Sequence, residues 1–160
     1  MQFVAGAESG ARKRVNYDMR TSPEDGSQRM LNAMLPGTEV AVHRHPNSNE
    51  NVILITGKMY EILYEETENG ELMETERIYL CPAEGRFGCQ VPKGVWHTVE
   101  VIEPSVIYEA KDGKYGEDAP QPLSFRLSAA HGALGSAACY QRDARNLINS
   151  HNVAITANQV

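Results

Sequence analysis

The chain has 160 residues, 41% of them hydrophobic and 22% charged, with a formal net charge of -6 at neutral pH and a pI near 5.4. That length suits one domain around a single core, and the acidic balance argues against a nucleic-acid partner, whose phosphates need clustered Lys and Arg. The longest apolar run, Val52-Ile53-Leu54-Ile55, falls far short of the ~20 residues that span a bilayer, so no membrane helix is expected.

Smaller features point the same way. Arg12-Lys13-Arg14 is a compact basic group and reads as the solvated start of the first strand. Residues 1–10 lack the charged start and long apolar centre of a secretory signal, which makes the cytoplasm the expected compartment. Cys81, Cys89 and Cys139 are an odd count without metal-knuckle spacing. Reduced thiols suit that pattern better than a disulfide framework.

Taken in order, Gln2–Ala5 offers a short strand, and Val15–Met19 alternates apolar and polar side chains as a half-buried strand does. Loop chemistry at residues 21–26 ends it. Residues 28–35 fit a strand, although propensity alone would also allow a helix; Pro36-Gly37 supplies a tight turn and favours a strand pair. Residues 38–45, 51–56 and 58–65 read as further strands. Asn69-Gly70 marks a hairpin from which residues 72–80 return. A loop at 82–85, a short strand at 86–91 and a turn at 92–94 lead to strands at 97–102 and 105–110, separated by Glu103-Pro104. Some nine or ten short strands without a long helical pattern imply an antiparallel barrel or sandwich. Residues 1–117 are assigned to this barrel. Residues 118–160 form a C-terminal extension rich in Ala, Ser and Asn, expected to be a loosely docked helix over 137–149 or a disordered tail.

One stretch carries chemistry. His43 and His45 sit two apart and would share a strand face, Glu50 follows a short polar turn, and His97 begins a late strand behind Pro92-Lys93-Gly94. If the strands pair, three imidazoles and a carboxylate converge on one divalent ion, a donor set suited to Fe, Mn, Ni, Co or Zn with positions left open for water or substrate. Glu39 shares parity with His43 and is the candidate catalytic acid or base, with exposure at a strand end as the competing reading. Trp96, opposite His97 by alternation, reads as core. Arg44 reads as a salt-bridge or interface residue, and Tyr60, Tyr108 and Glu109 as mouth or packing residues.

The spacing Gly37-x5-His43-x-His45-x4-Glu50-x6-Gly57 resembles the first cupin motif throughout, and Gly85, Pro92, Gly94 and His97 resemble most of the second. Six residues rather than the usual five separate Gly85 from Pro92, and Val101 stands where many cupins carry Asn. More narrowly, residues 14–115 resemble WbuC-type cupin metalloproteins through Gln28–Leu31, Pro36–Thr38, His43–Pro46, Gly94–Val99 and Glu109–Tyr115. The resemblance implies an all-β, double-stranded β-helix of jelly-roll type holding one metal, a homodimer, and a link to bacterial surface-polysaccharide synthesis.

Two functions of different class are compatible with these residues. One is a metalloenzyme, an isomerase, hydrolase or dioxygenase, acting on a small oxygen-bearing and sugar-derived substrate. The other is a metal-assisted small-molecule or sugar-binding module without turnover. A fold alone decides neither.

Overall fold

The computed structural model describes Ala7, residues 10–117 and residues 120–122. The expected strand at 2–5 and the expected helix or tail beyond residue 122, together with Cys139, lie outside the described residues. Eight strands form one curled antiparallel sheet: β1 (Arg14–Asp18), β2 (Ser27–Met34), β3 (His43–Arg44), β4 (Glu50–Glu66), β5 (Leu72–Leu80), β6 (Gly88–Val91), β7 (Trp96–Asp112) and β8 (Gln121–Pro122), with a 3-10 turn at Pro82–Glu84.

Two 17-residue strands make the frame. β4 and β7 pair antiparallel from Glu50 opposite Lys111 to Tyr64 opposite Trp96. Along its free edge β4 takes β6 beside its first half and β5 beside its second. β7 takes β3 at His97 and β2 along Ser105–Asp112, and β1 lines up on β2. Each long strand therefore belongs to both halves of the barrel, as a double-stranded β-helix requires.

The turn from one half to the other is made by bulges. The β4–β7 register shifts between Leu54 and Thr56, between Thr56 and Lys58, and again before Met59. Gly57 lies inside this stretch with φ +100°, and a Cβ there would come within 2.3 Å of Ser105 Oγ and 2.5 Å of the Pro104 carbonyl. No larger residue fits that approach, and bulges of this kind bend and twist a strand sharply.

Three sequence expectations change. The strands at 51–56 and 58–65 are one strand, because Gly57 lets the chain bend without ending the ladder. Those at 97–102 and 105–110 are likewise one, since Pro104 sits at the bulged corner, where its missing N–H is tolerated. Residues 38–45, in contrast, keep ladder pairing only at His43–Arg44. Thr38 is held instead by its hydroxyl, which donates to the Lys13 carbonyl at 2.8 Å and accepts from the Leu35 N–H at 3.2 Å. Within the expected segment 28–35, the chain is strand rather than helix, as part of Ser27–Met34. The hairpin at Asn69-Gly70 forms, with Gly70 at φ +77° and its N–H donating to Thr67.

The barrel interior has two parts. Met34, Val52, Leu54, Met59, Leu80, Cys89, Val101 and Ile107 form the apolar cluster, with Ile78 and Val99 packed against it. Val101 belongs to this cluster, so the position where many cupins carry Asn contributes packing here. Cys89 is also part of it and Cys81 is fully buried; both are free thiols. The rest of the interior is polar and holds the candidate site.

Candidate metal centre

Pairing brings the histidines together. His43 on β3 stands directly opposite His97 at the start of β7. The Pro92–Gly94 turn is pinned to the other motif, since the Gly94 N–H donates to the His45 carbonyl at 2.7 Å and the Lys93 N–H to Asn49 Oδ1 at 2.9 Å. Gly94 holds φ +79° in this turn, which explains a glycine there. Glu50 opens β4 and is buried beneath the three rings.

Ring centroids lie 4.2 Å apart for His43–His97, 5.2 Å for His43–His45 and 5.6 Å for His45–His97. One ligating nitrogen from each ring lies within 4.8 Å of the others. Glu50 completes the group, with Oε2 at 2.8 Å from His45 Nε2 and Oε1 at 3.9 Å from His97 Nε2. Backbone carbonyls fix two of the rings: His43 Nδ1 lies 2.9 Å from the Ala41 carbonyl and His97 Nδ1 3.0 Å from that of Val95. A proton on each Nδ1 leaves Nε2 as the ligand atom, the usual way a second contact sets the tautomer of a ligating histidine.

Protonation suits metal binding. Burial, helped by the neighbouring His97, pushes His43 down to about 4, and burial likewise lowers His97. Burial would raise Glu50, but the contact with His45 and the charges of the histidines outweigh it and hold the carboxyl below its ordinary range. His43 and His97 thus present neutral rings and Glu50 a carboxylate near neutral pH, the forms that ligate divalent ions. His97 Nε2 is buried with no hydrogen-bond partner. A buried polar atom without a partner is costly, and an ion at the centre of the group would satisfy it. The residues therefore fit a metal.

Glu39 falls elsewhere. The segment before His43 leaves the ladder, so strand parity does not apply to it. Glu39 is exposed and is not among the residues lining the cavity of about 450 Å³ that opens onto the histidines. Other charged groups take the interior place. Lys111 is buried, with Nζ 2.6 Å from His45 Nδ1. Glu61 is 1% exposed and neither of its oxygens has a hydrogen-bond partner; burial, then the charges of Glu50 and Glu109, raise its carboxyl well above the ordinary range. Glu109 accepts from Asn32 Nδ2 at 2.9 Å, and burial with the Glu50 charge pushes it up to about 8 against the pull of Lys111 and Arg14.

Of these three, counting by twos from His97 reaches Glu109 and Lys111. Glu61 has the parity opposite to Glu50 and faces inward only because of the intervening bulges. On the outer face Trp96 is buried and its Nε1–H donates to Glu66 at 3.2 Å, while the Arg44 guanidinium lies 4.5 Å over its ring and donates from Nε to Gln121 at 3.2 Å. Tyr60 and Tyr108 do not line the cavity.

A family model described as "Domain of unknown function (DUF6016)" matches residues 1–78. No curated protein matches in sequence. Among solved structures, an oxalate oxidase in complex with the substrate analogue glycolate aligns with TM-score 0.54 at 10% identity, covering 72% of this chain and 57% of that one. The capsular polysaccharide assembling protein CapF from Staphylococcus aureus aligns with TM-score 0.53 at 18% identity, covering 71% of this chain and 32% of that one. Oxalate decarboxylase from Bacillus subtilis aligns with TM-score 0.50 at 18% identity over 69% of this chain and 27% of that one. The chain thus spans little more than half the length of the oxalate oxidase and a smaller part of the other two. At these identities the likeness is one of fold: the chain has the all-β, jelly-roll barrel fold of cupin type, and its interior gathers a three-histidine group, with a carboxylate beside it, that could bind a metal.

Proposed function

We propose that His43, His45, His97 and Glu50 hold one divalent ion, of Fe, Mn, Ni, Co or Zn type, and that the chain is a metal-dependent enzyme acting on a small oxygen-bearing, sugar-derived molecule. The buried and unpartnered His97 Nε2, set among two further imidazoles and a carboxylate, carries this reading. The ion would supply Lewis-acid polarisation of a ligand oxygen. The protein's own groups do the rest. The cavity walls orient the ligand, Lys111 contacts His45 at its Nδ1, and Glu61, a carboxyl kept protonated inside the cavity, can give a proton there. Glu61 thereby replaces Glu39 as the acid–base group of the reading.

Finer parts of the proposal rest on resemblance. The WbuC-type motifs, with the structural likeness to a capsular polysaccharide assembling protein, support a place in surface-polysaccharide synthesis. A homodimer is proposed on the same motif resemblance.

A binding module without turnover is the second reading: the acid–base candidate read from the sequence, Glu39, is exposed, and Glu61 then only shapes the cavity. The two readings part on turnover: conversion of a sugar-derived panel by metal-loaded protein supports the enzyme, and saturable binding without conversion supports the module.

The metal assignment is tested by elemental analysis of the parent and His97→Ala, both purified without chelator. One ion per parent chain and at most a tenth of that in the variant is expected. The parent should also melt higher with added ion, by an amount equivalent to roughly 2.7 kcal/mol at a hundredfold excess over Kd, and the variant should not. Equal metal in both proteins would overturn the assignment.

A further inference from the structure

A second wall of the same cavity comes from the first two strands. β1 contributes Arg14 and Asn16, β2 contributes Gln28 and Asn32, and Arg12 lies just ahead of β1. Two polar atoms of this wall are buried without a hydrogen-bond partner: the donor Arg14 Nε and the acceptor Asn32 Oδ1. Neither Arg12 nor Arg14 forms an ion pair among the described residues. The carboxyl that attracts Arg14, that of Glu109, is engaged by the Asn32 amide.

Two guanidinium groups thus line one cavity without an ion pair among the described residues. Burial and then the Arg12 charge lower Arg14 from its ordinary range, a repulsion that the pull of Glu109 offsets only in part. A ligand anion would relieve that repulsion and complete the unpartnered Nε. A guanidinium offers parallel N–H donors that match the two oxygens of a carboxylate. Asn32 Oδ1 asks for a different group, a donor such as a hydroxyl. Glu50 lines the same space as a carboxylate, while Glu61 and Glu109 are held protonated, and the Glu50 charge opposes a second negative charge on the ligand more than a first.

We propose that Arg14, supported by Arg12, is the anion-recognising residue of this cavity, and that its ligand is a small hydroxylated monocarboxylic acid whose carboxylate meets the Arg14 guanidinium while a hydroxyl donates to Asn32 Oδ1. This deepens the reading of the cavity as the ligand site of the metal centre and rests on it. Acids of this class are the oxidised forms of simple polyols and sugars, which the metal-facing end of the cavity would meet through their hydroxyl oxygens.

The test is calorimetric titration of full-length, metal-loaded protein, freed of excess ion, with glycolate, D-glycerate and D-gluconate. Each is paired with its neutral counterpart, ethylene glycol, glycerol or sorbitol, and glucose 6-phosphate serves as the dianion. At least one acid should bind, its neutral counterpart at least tenfold more weakly. Arg14→Gln should weaken the acid by about tenfold or more, the scale of a lost charge-assisted hydrogen bond, and Arg14→Lys by less, with metal content the same in all three proteins. Arg12→Gln, at an exposed position, should cause a smaller loss and decides the matter if Arg14→Gln does not fold. Unchanged acid affinity in the Arg14 and Arg12 variants, failure of all three acids to bind, or tighter binding of glucose 6-phosphate would overturn the proposal. A parent that takes up no metal defeats the metal reading instead. The same titrations on that metal-free chain then support this proposal if Arg14-dependent acid binding persists and overturn it if none is seen.

Discussion

The two parts of the barrel interior are built by the same strands yet have opposite chemistry. β4 supplies Leu54 and Met59 to the apolar cluster and Glu50 and Glu61 to the cavity; β7 supplies Val101 to the first and His97, Glu109 and Lys111 to the second, while Val52 and Ile107 form the boundary and belong to both. Stability and chemistry are therefore divided along the length of each strand and not between elements. A polar interior of this kind lowers stability, because burial of ionisable groups is only partly offset by their contacts. The apolar half offsets that cost, at roughly 25 cal/mol per Å² of apolar surface buried.

If that division holds, mutations in the two halves should separate cleanly. The largest effect is expected from the apolar half. Leu54 is 1% exposed within the cluster, and Leu54→Ala should cost about 3 kcal/mol in chemical denaturation, while metal per folded chain stays at the parent value. Loss of metal along with stability would show that the halves are not independent.

A smaller effect of opposite sign is expected from the polar half. In metal-free protein the carboxyls of Glu61 and Glu109 are held protonated by burial, Glu109 up to about 8 from an ordinary 4.5. A carboxyl with a raised folded pKa favours folding while both states are protonated and loses that advantage as pH climbs from the unfolded value toward the folded one. Chelator-treated protein should therefore lose stability between about pH 4.5 and pH 8 on account of these groups. Glu61→Gln should flatten that decline and gain on the order of 1 kcal/mol at pH 8. A melting profile against pH, parent beside variant, checks it; a variant less stable than the parent at pH 8 would contradict the assignment of Glu61 as a buried burden.

The smallest effect is expected outside the barrel wall. Arg44 lies between two proposed ligands in sequence but faces away from them, over the Trp96 ring. Arg44→Ala should cost about 0.5–1 kcal/mol, shift the fluorescence of Trp96, the one tryptophan in the chain, and leave metal content unchanged. A drop in metal content would mean that the two faces of β3 are coupled.

How far the sequence carries this picture depends on where strand parity survives. His43, His45, Glu50 and His97 were legible because they lie in short segments with fixed spacing, and the structure brings all four side chains together. Glu39 was placed inward by counting from His43, but residues 38–42 have no ladder to count along. Glu61 was invisible for the complementary reason: the bulges between Leu54 and Met59 shift the phase of β4, so an odd-numbered residue faces the same cavity as Glu50. Glu109, read from the sequence as a mouth or packing residue, does line the cavity, whereas Lys111 was missed: it keeps the parity of His97, yet Glu103-Pro104 reads as a strand break, which hid the continuity of β7. Arg14 sits in a basic triplet that resembles any solvated strand start. Its role shows only when β1 is seen to wall the cavity.

The pairing of β4 with β7 also bears on how the centre comes into being. Glu50 lies opposite Lys111 and His43 opposite His97, so the ligands are joined by contacts remote in sequence, whereas the β4–β5 hairpin can close locally. Contacts of long sequence separation form slowly, after the chain entropy of closing the intervening loop has been lost. If the three histidines and Glu50 hold an ion as proposed, it would gain its full set of ligands only once the last long strand has docked, which would make metal capture a late event in folding and a report that the barrel has closed.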